Sequence, residues 1–120
     1  MKHESRIAIS YIAASLINNA RFNAVFDYFK GSYNHFSGVI NHNNISVYDY
    51  NQSCYITGNC YNGQFSLYNY GHNNFINLNI NNNNFNGYDY GSNFHFSGKV
   101  NNRSISLYDY ESAQFYNFSV

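Results

Sequence analysis

NHFSGVINHNNISVYDYNQS, residues 34–53, is a block that the chain writes three more times. The copies are CYITGNCYNGQFSLYNYGHN from Cys54, NFINLNINNNNFNGYDYGSN from Asn74 and FHFSGKVNNRSISLYDYESA from Phe94. The blocks begin at residues 34, 54, 74 and 94, so they align without a gap at a period of 20. Self-similarity at a fixed period marks a structural unit set in series, and it decides the architecture before any single element is considered. One tripeptide anchors the alignment: Tyr48-Asp49-Tyr50, Tyr68-Asn69-Tyr70, Tyr88-Asp89-Tyr90 and Tyr108-Asp109-Tyr110. Gly38, Gly58 and Gly98 share another column, where the third block carries Leu78.

Each block reads as two short strands. In the fourth, Phe94, Phe96, Gly98 and Val100 alternate with His95, Ser97 and Lys99. That is period two, the mark of a strand with one buried face. A polar turn follows at Asn101-Asn102-Arg103, and Asn suits such turns because it tolerates positive φ. The second strand sets Ile105 and Leu107 on one face and Ser106, Tyr108 and Tyr110 on the other.

The pattern overruns the four blocks at both ends. Val25-Phe26-Asp27-Tyr28 repeats Val47-Tyr48-Asp49-Tyr50 with two extra residues intervening, and Phe115 to Val120 reads as the first strand of a further block. A second-strand half at one end and a first-strand half at the other would complete one hairpin, closing the sheet and removing its edges. Ahead of these strands, residues 4–20 read as one helix, with Ile9, Ile12, Ala13, Leu16, Ile17 and Ala20 forming an apolar stripe at spacings of three and four. Asn18 and Asn19 suit its C-terminal end. The stripe has to be buried, either against the sheet as a cap or against the same helix of a second copy.

The 120 residues make one domain: a helix at 4–20, a partial repeat at 21–33, four repeats over 34–113 and a closing strand at 114–120. The fold class is mainly β. Antiparallel hairpins would give a meander, ring or barrel, whereas one parallel coil per repeat would give a β-solenoid with a helical cap. Clean one-face alternation with serines opposite favours hairpins with one solvated side.

The tripeptide ending one strand, followed by a short loop and a Gly-containing strand, resembles small bacterial β-hairpin repeat proteins of the four-fold β-flower type, with choline-binding cell-wall repeats a more distant parallel. The resemblance spans residues from about 22 to 120. This chain has no Trp, the signature of the cell-wall repeats, and few of the Gly turns of the β-flower. The resemblance implies a pseudosymmetric β-module and assigns no functional residue.

Composition narrows the partners. Charged residues are 10% of the chain, six of each sign. No basic stripe exists to meet a phosphate backbone, so nucleic acid is not an expected partner. The apolar stretch from Ile7 to Ile17 is too short to span a bilayer, and Glu4, Ser10 and Tyr11 are out of place in a signal peptide. No membrane partner is therefore expected. Cys54 and Cys60 fall in one predicted strand, which would hold their α-carbons roughly 20 Å apart, whereas a disulfide needs less than about 7 Å. Free thiols suit a reducing compartment, so a cytoplasmic location is expected.

Two columns are the candidate sites. Tyr48, Tyr50, Tyr68, Tyr70, Tyr88, Tyr90, Tyr108 and Tyr110 lie opposite the apolar face of their strands. With Ser and Asn around them they form the palette of a binding surface, because rigid amphipathic rings bury area at low entropic cost. The plainer alternative is cross-strand pairing that only stabilises the sheet. Asp49, Asp89 and Asp109, with Asp27 and Asn69 in equivalent places, would converge in a closed ring and could there hold a cation or basic group. Alternatively, each caps its own turn. His35 and His95 share a column but lack the further ligands a metal needs. No nucleophile elbow, phosphate loop or Cys–His pair appears.

The expectation is a non-enzymatic protein that uses no cofactor. It would present a repeated Tyr/Ser/Asn face to a small molecule, glycan or protein. The alternatives are a self-assembling structural subunit, homo-oligomeric through the helix or sheet edges, and a small inhibitor or immunity-type protein.

Overall fold

The computed structural model describes residues 1–120. A helix, α1 (His3–Asn18), precedes ten strands: β1 (Ala24–Asp27), β2 (Ser32–Ile40), β3 (Asn44–Asp49), β4 (Cys54–Tyr61), β5 (Gln64–Asn69), β6 (Asn74–Asn81), β7 (Asn84–Asp89), β8 (Phe94–Asn101), β9 (Ser104–Asp109) and β10 (Gln114–Ser119). All neighbours are antiparallel and sequential, and β1 pairs with β10, so the sheet is a closed barrel. The solenoid alternative is set aside by this pairing. The seam is short: Phe26 faces Ser119 and Asp27 faces Phe118.

Two kinds of turn alternate. At one end of the barrel, tight turns inside the second, third and fourth repeats use Asn62, Asn82 and Asn102 at φ of 52, 56 and 56°, the left-handed values that Asn tolerates. At the other end, four-residue loops follow the tripeptide and finish on a left-handed residue: Ser53, Asn73, Asn93 or Ala113. Cys54 and Cys60 lie in the one strand β4 and are free thiols.

Inward-facing residues of the strands build the wall of the core, among them Phe36, Ile45, Ile56, Leu67, Ile76, Phe85, Phe96, Ile105 and Phe118, all at most 2% exposed. About eight strands give a barrel that its own side chains can fill; ten leave a lumen. Helix α1 occupies it. Ser5 and every residue from Ile7 to Leu16 are buried, so the helix is enclosed on all sides. Its apolar stripe therefore neither caps one sheet face nor meets a second copy, as the stripe alone suggests. The reason lies on the opposite side of the helix, where Ile7 and Tyr11 are buried too, Tyr11 stacked on Phe36 of the wall, and Ala8, Ser10, Ala14 and Ser15 are short enough to be covered. The helix also runs 3–18 rather than 4–20: Asn19 turns left-handed at φ 49° and its N–H bonds back to the Leu16 carbonyl at 3.3 Å.

Small and large residues alternate on the inner wall. Gly38 faces Val47, Gly58 faces Leu67 and Gly98 faces Leu107 across their hairpins. The third repeat inverts the pair, with Leu78 opposite Gly87. In all four, a Cβ built on the glycine would overlap the carbonyl oxygen of the residue before its large partner: Ser46, Ser66, Asn77 or Ser106. The glycine thus lets one strand crowd the next while the partner fills the space.

Candidate functional site

The odd-numbered strands set Phe26, Tyr48, Tyr68, Tyr88 and Tyr108 on the outer wall, half-buried. Each is flanked by two rings. One comes from just beyond its own strand: Tyr28, Tyr50, Tyr70, Tyr90 or Tyr110. The other is its cross-strand partner: Tyr33, Tyr55, Phe75, His95 or Phe115. Ring centroids in these ten pairs are 4.8 to 5.0 Å apart, tilted by 63 to 80°. Edge-to-face geometry of this kind is favourable for aromatic rings. Five equivalent triads therefore form a belt at one level of the barrel. Tyr50 and Tyr90 are further held by hydrogen bonds to Ser37 Oγ at 3.0 Å and from Asn77 Nδ2 at 3.2 Å.

Away from the belt the outer wall is polar, carrying residues such as Asn59, Asn77, Asn79, Asn86, Ser66 and Ser106. Asn79 Nδ2 donates to Asn86 Oδ1 at 3.2 Å, lacing two of these strands together. Shallow grooves run from this polar wall up to the rings, one of 490 Å³ ending on Tyr88, Tyr90 and His95, and one of 610 Å³ ending on Tyr108, Tyr110 and Phe115.

The sequence places the tyrosines outside, and the structure brings all eight into the belt. It misses the fifth triad and the third ring of each. That ring stands second in the 20-residue block, where Tyr55, Phe75 and His95 differ in type and hide the column. His95 is a member of a triad rather than a lone strand histidine.

The Asp column points inward at the barrel end below the belt. Asp27, Asp49, Asn69, Asp89 and Asp109 are at most 4% exposed. Both sequence alternatives hold at once. Every Oδ1 caps its turn, accepting from Phe29 N (2.9 Å), Asn51 N (3.0 Å), Gly71 N (2.8 Å), Gly91 N (3.0 Å) and Glu111 N (3.0 Å). Three of the five, Asp27, Asn69 and Asp109, also converge on the first turns of α1. His3 Nε2 lies 2.6 Å from Asp27 Oδ2, and Arg6 donates to Asp109 Oδ2 from Nε at 2.9 Å and Nη2 at 2.8 Å. The Met1 amino group sits 3.5 Å from the same oxygen and bonds to Glu111, while Asn69 donates to Ser5 Oγ at 3.3 Å. The helix N-terminus itself carries partial positive charge toward the ring. The expected basic group is thus supplied from within the chain, and no three of these groups lie close enough to share a metal ion.

Asp49 lacks such a cation. Burial pushes its carboxyl above the ordinary value and the Glu4 charge adds to this, against the lowering by its Gln52 and Asn51 backbone bonds and by His72. Burial likewise raises the Cys54 thiol, with the Asp49 charge helping, which makes it a poor nucleophile. At the far end of the lumen, burial raises the Tyr11 hydroxyl, which donates to the Phe22 carbonyl at 2.5 Å. No helix is long and apolar enough to cross a membrane. Comparison with protein-family models, with curated proteins and with solved structures returned no match.

Proposed function

We propose that the chain is a non-catalytic binding module and that the aromatic belt is its contact face, engaging a small molecule, glycan or protein. One observation carries this reading. Cross-strand pairing accounts for the central ring of each triad and its strand partner, but not for Tyr50, Tyr70, Tyr90 and Tyr110. These lie beyond their strands with 57, 56, 52 and 53% of their surface exposed. Each adds a rigid, amphipathic ring to a contiguous exposed patch, the kind that marks interaction sites.

The inner ring supports the non-catalytic side of the reading. Its acids are spent on turn caps and on α1, and His3, the base closest to them, has Asp27 on one nitrogen and Arg6 on the other. A self-assembling subunit would have to use the outer wall, the barrel ends or the stretch of β2 beyond His35 that β1 leaves unpaired, because α1 is enclosed. The free thiols of Cys54 and Cys60 accord with a reducing cytoplasm.

Native mass spectrometry of the protein isolated from its own host tests the proposal. A retained ligand or partner adds mass beyond a whole number of chains. The Tyr68→Ser/Tyr88→Ser variant, shown folded by circular dichroism, should lose it. If that variant keeps every association of the parent, the belt is not the contact face.

A further inference from the structure

We propose that the belt, taken as the contact face, binds an extended uncharged glycan chain, laid across successive hairpins from β5 round to β1. The grooves on this side are not separate. The 490 Å³ groove at Tyr88 and Tyr90 shares Asn86 with the 610 Å³ groove at Tyr108 and Tyr110. The latter shares Lys99 and Ser106 with a third groove, of 470 Å³, which ends on Tyr28. We take these neighbours together as one open trough that passes three aromatic platforms. A compact ligand is held by a cavity that closes over most of its surface; an open trough of this length suits a long one.

Three features select the chemistry. Lys99 is the sole Lys, Arg, Asp or Glu lining the trough, so a polyanion finds almost no counter-charge and the ligand is neutral. The strands β5 to β9 that line the trough are paired on both sides, so they offer no edge to which a polypeptide could add. The lining sets aromatic faces beside a row of amides and hydroxyls, Asn77, Asn79, Asn86, Ser97 and Ser106. Amides both donate and accept, as sugar hydroxyls do, and the apolar face of a sugar ring stacks on a tyrosine. Two strands per repeat place the platforms roughly 10 Å apart, a length close to that of a disaccharide in an extended chain.

The test is affinity electrophoresis in gels containing neutral polysaccharides (an α-1,4-glucan, a β-1,3-glucan, a β-1,4-xylan and a β-1,4-mannan), with heparin as the polyanionic control. Calorimetry follows, with the disaccharide and hexasaccharide of any polymer that retards the protein. The expected result is retardation by a neutral polymer and not by heparin, with the hexasaccharide bound more than about tenfold tighter than the disaccharide because it reaches a second platform. Tyr90→Ala and Tyr110→Ala should each weaken hexasaccharide binding by roughly 2- to 10-fold. Tyr61→Ala, an exposed ring outside both the belt and the trough, should leave it unchanged. Retardation by no neutral polymer overturns the proposal, as do equal affinities for the two oligosaccharides or equal losses from Tyr61→Ala and Tyr90→Ala. If the glycans fail while Tyr68→Ser/Tyr88→Ser still strips a native partner, the glycan falls and the belt reading stands. If glycan binding survives loss of the tyrosines, both fall.

Discussion

The inverted pair in the third repeat supports a quantitative test of how the inner wall is packed. Leu78 is fully buried and directly opposite Gly87, where the second and fourth repeats set Gly58 against Leu67 and Gly98 against Leu107. Leu78→Gly alone removes a buried leucine, about 2–5 kcal/mol on the scale of Leu→Ala, and adds up to about 1 kcal/mol for the freedom of glycine in a strand. Gly87→Leu alone drives a side chain into the Asn77 carbonyl and to 2.5 Å from Phe96 Cζ, an overpacking cost of about 1–3 kcal/mol. In the double variant the new leucine refills the space left by Leu78, but the Asn77 carbonyl still meets its Cβ, so it should recover the lost burial and remain about 1–3 kcal/mol below the parent. The interaction energy is then about 2 kcal/mol or more, in the range of touching residues. Urea titration followed by circular dichroism measures all four species. If the double variant is as unstable as the sum of the two singles, the inversion is not a compensated exchange and the packing argument is wrong.

Two further outcomes follow from the inner ring. Asn69 already performs the Asp49 turn cap without charge, so Asp49→Asn should raise stability at pH 7 by about 1 kcal/mol. Because the folded-state carboxyl titrates above its unfolded value, the ionised form is penalised at neutral pH. The advantage of the variant should therefore shrink as pH falls through the raised value and vanish below the unfolded one; a gap that is constant with pH would contradict burial as the cause. Arg6→Ala leaves the fully buried Asp109 with only the Met1 amino group, at 3.5 Å, as a cation and should cost about 3 kcal/mol, with Arg6→Ala/Asp109→Asn recovering part of the loss in chemical denaturation; no recovery would show that Arg6 acts through packing alone.

Much of this architecture is legible in the residues because the repeat reports itself several times. Period-two alternation places Ile105 and Leu107 inside and Tyr108 outside, and the half-repeats at Val25 and Phe115 announce closure. The position of α1 is not legible in the same way. Its Ile9–Leu16 stripe specifies that one face is buried, while the other, where Ala8, Ser10, Ala14 and Ser15 surround Ile7 and Tyr11, does not say by itself whether it meets solvent or a lumen. Only the width of a ten-stranded wall decides between them. The partners of the Asp column were hidden for a related reason. Arg6 and Asp109, or His3 and Asp27, meet across long stretches of chain, and no local spacing brings them together. The sequence framed capping and convergence as rivals, yet a carboxylate has two oxygens, and Asp27 and Asp109 use one for each.

An enclosed helix also constrains the order in which the molecule can form. The seam joins Phe26 to Ser119 across most of the chain, so it is the strand pairing with the largest loop to close and the natural last pairing. Once it has closed, the wall offers no gap through which a 16-residue helix could pass. The hairpins, each local and quick to pair, must therefore wind around α1 as a mandrel, and the barrel is the record of that winding.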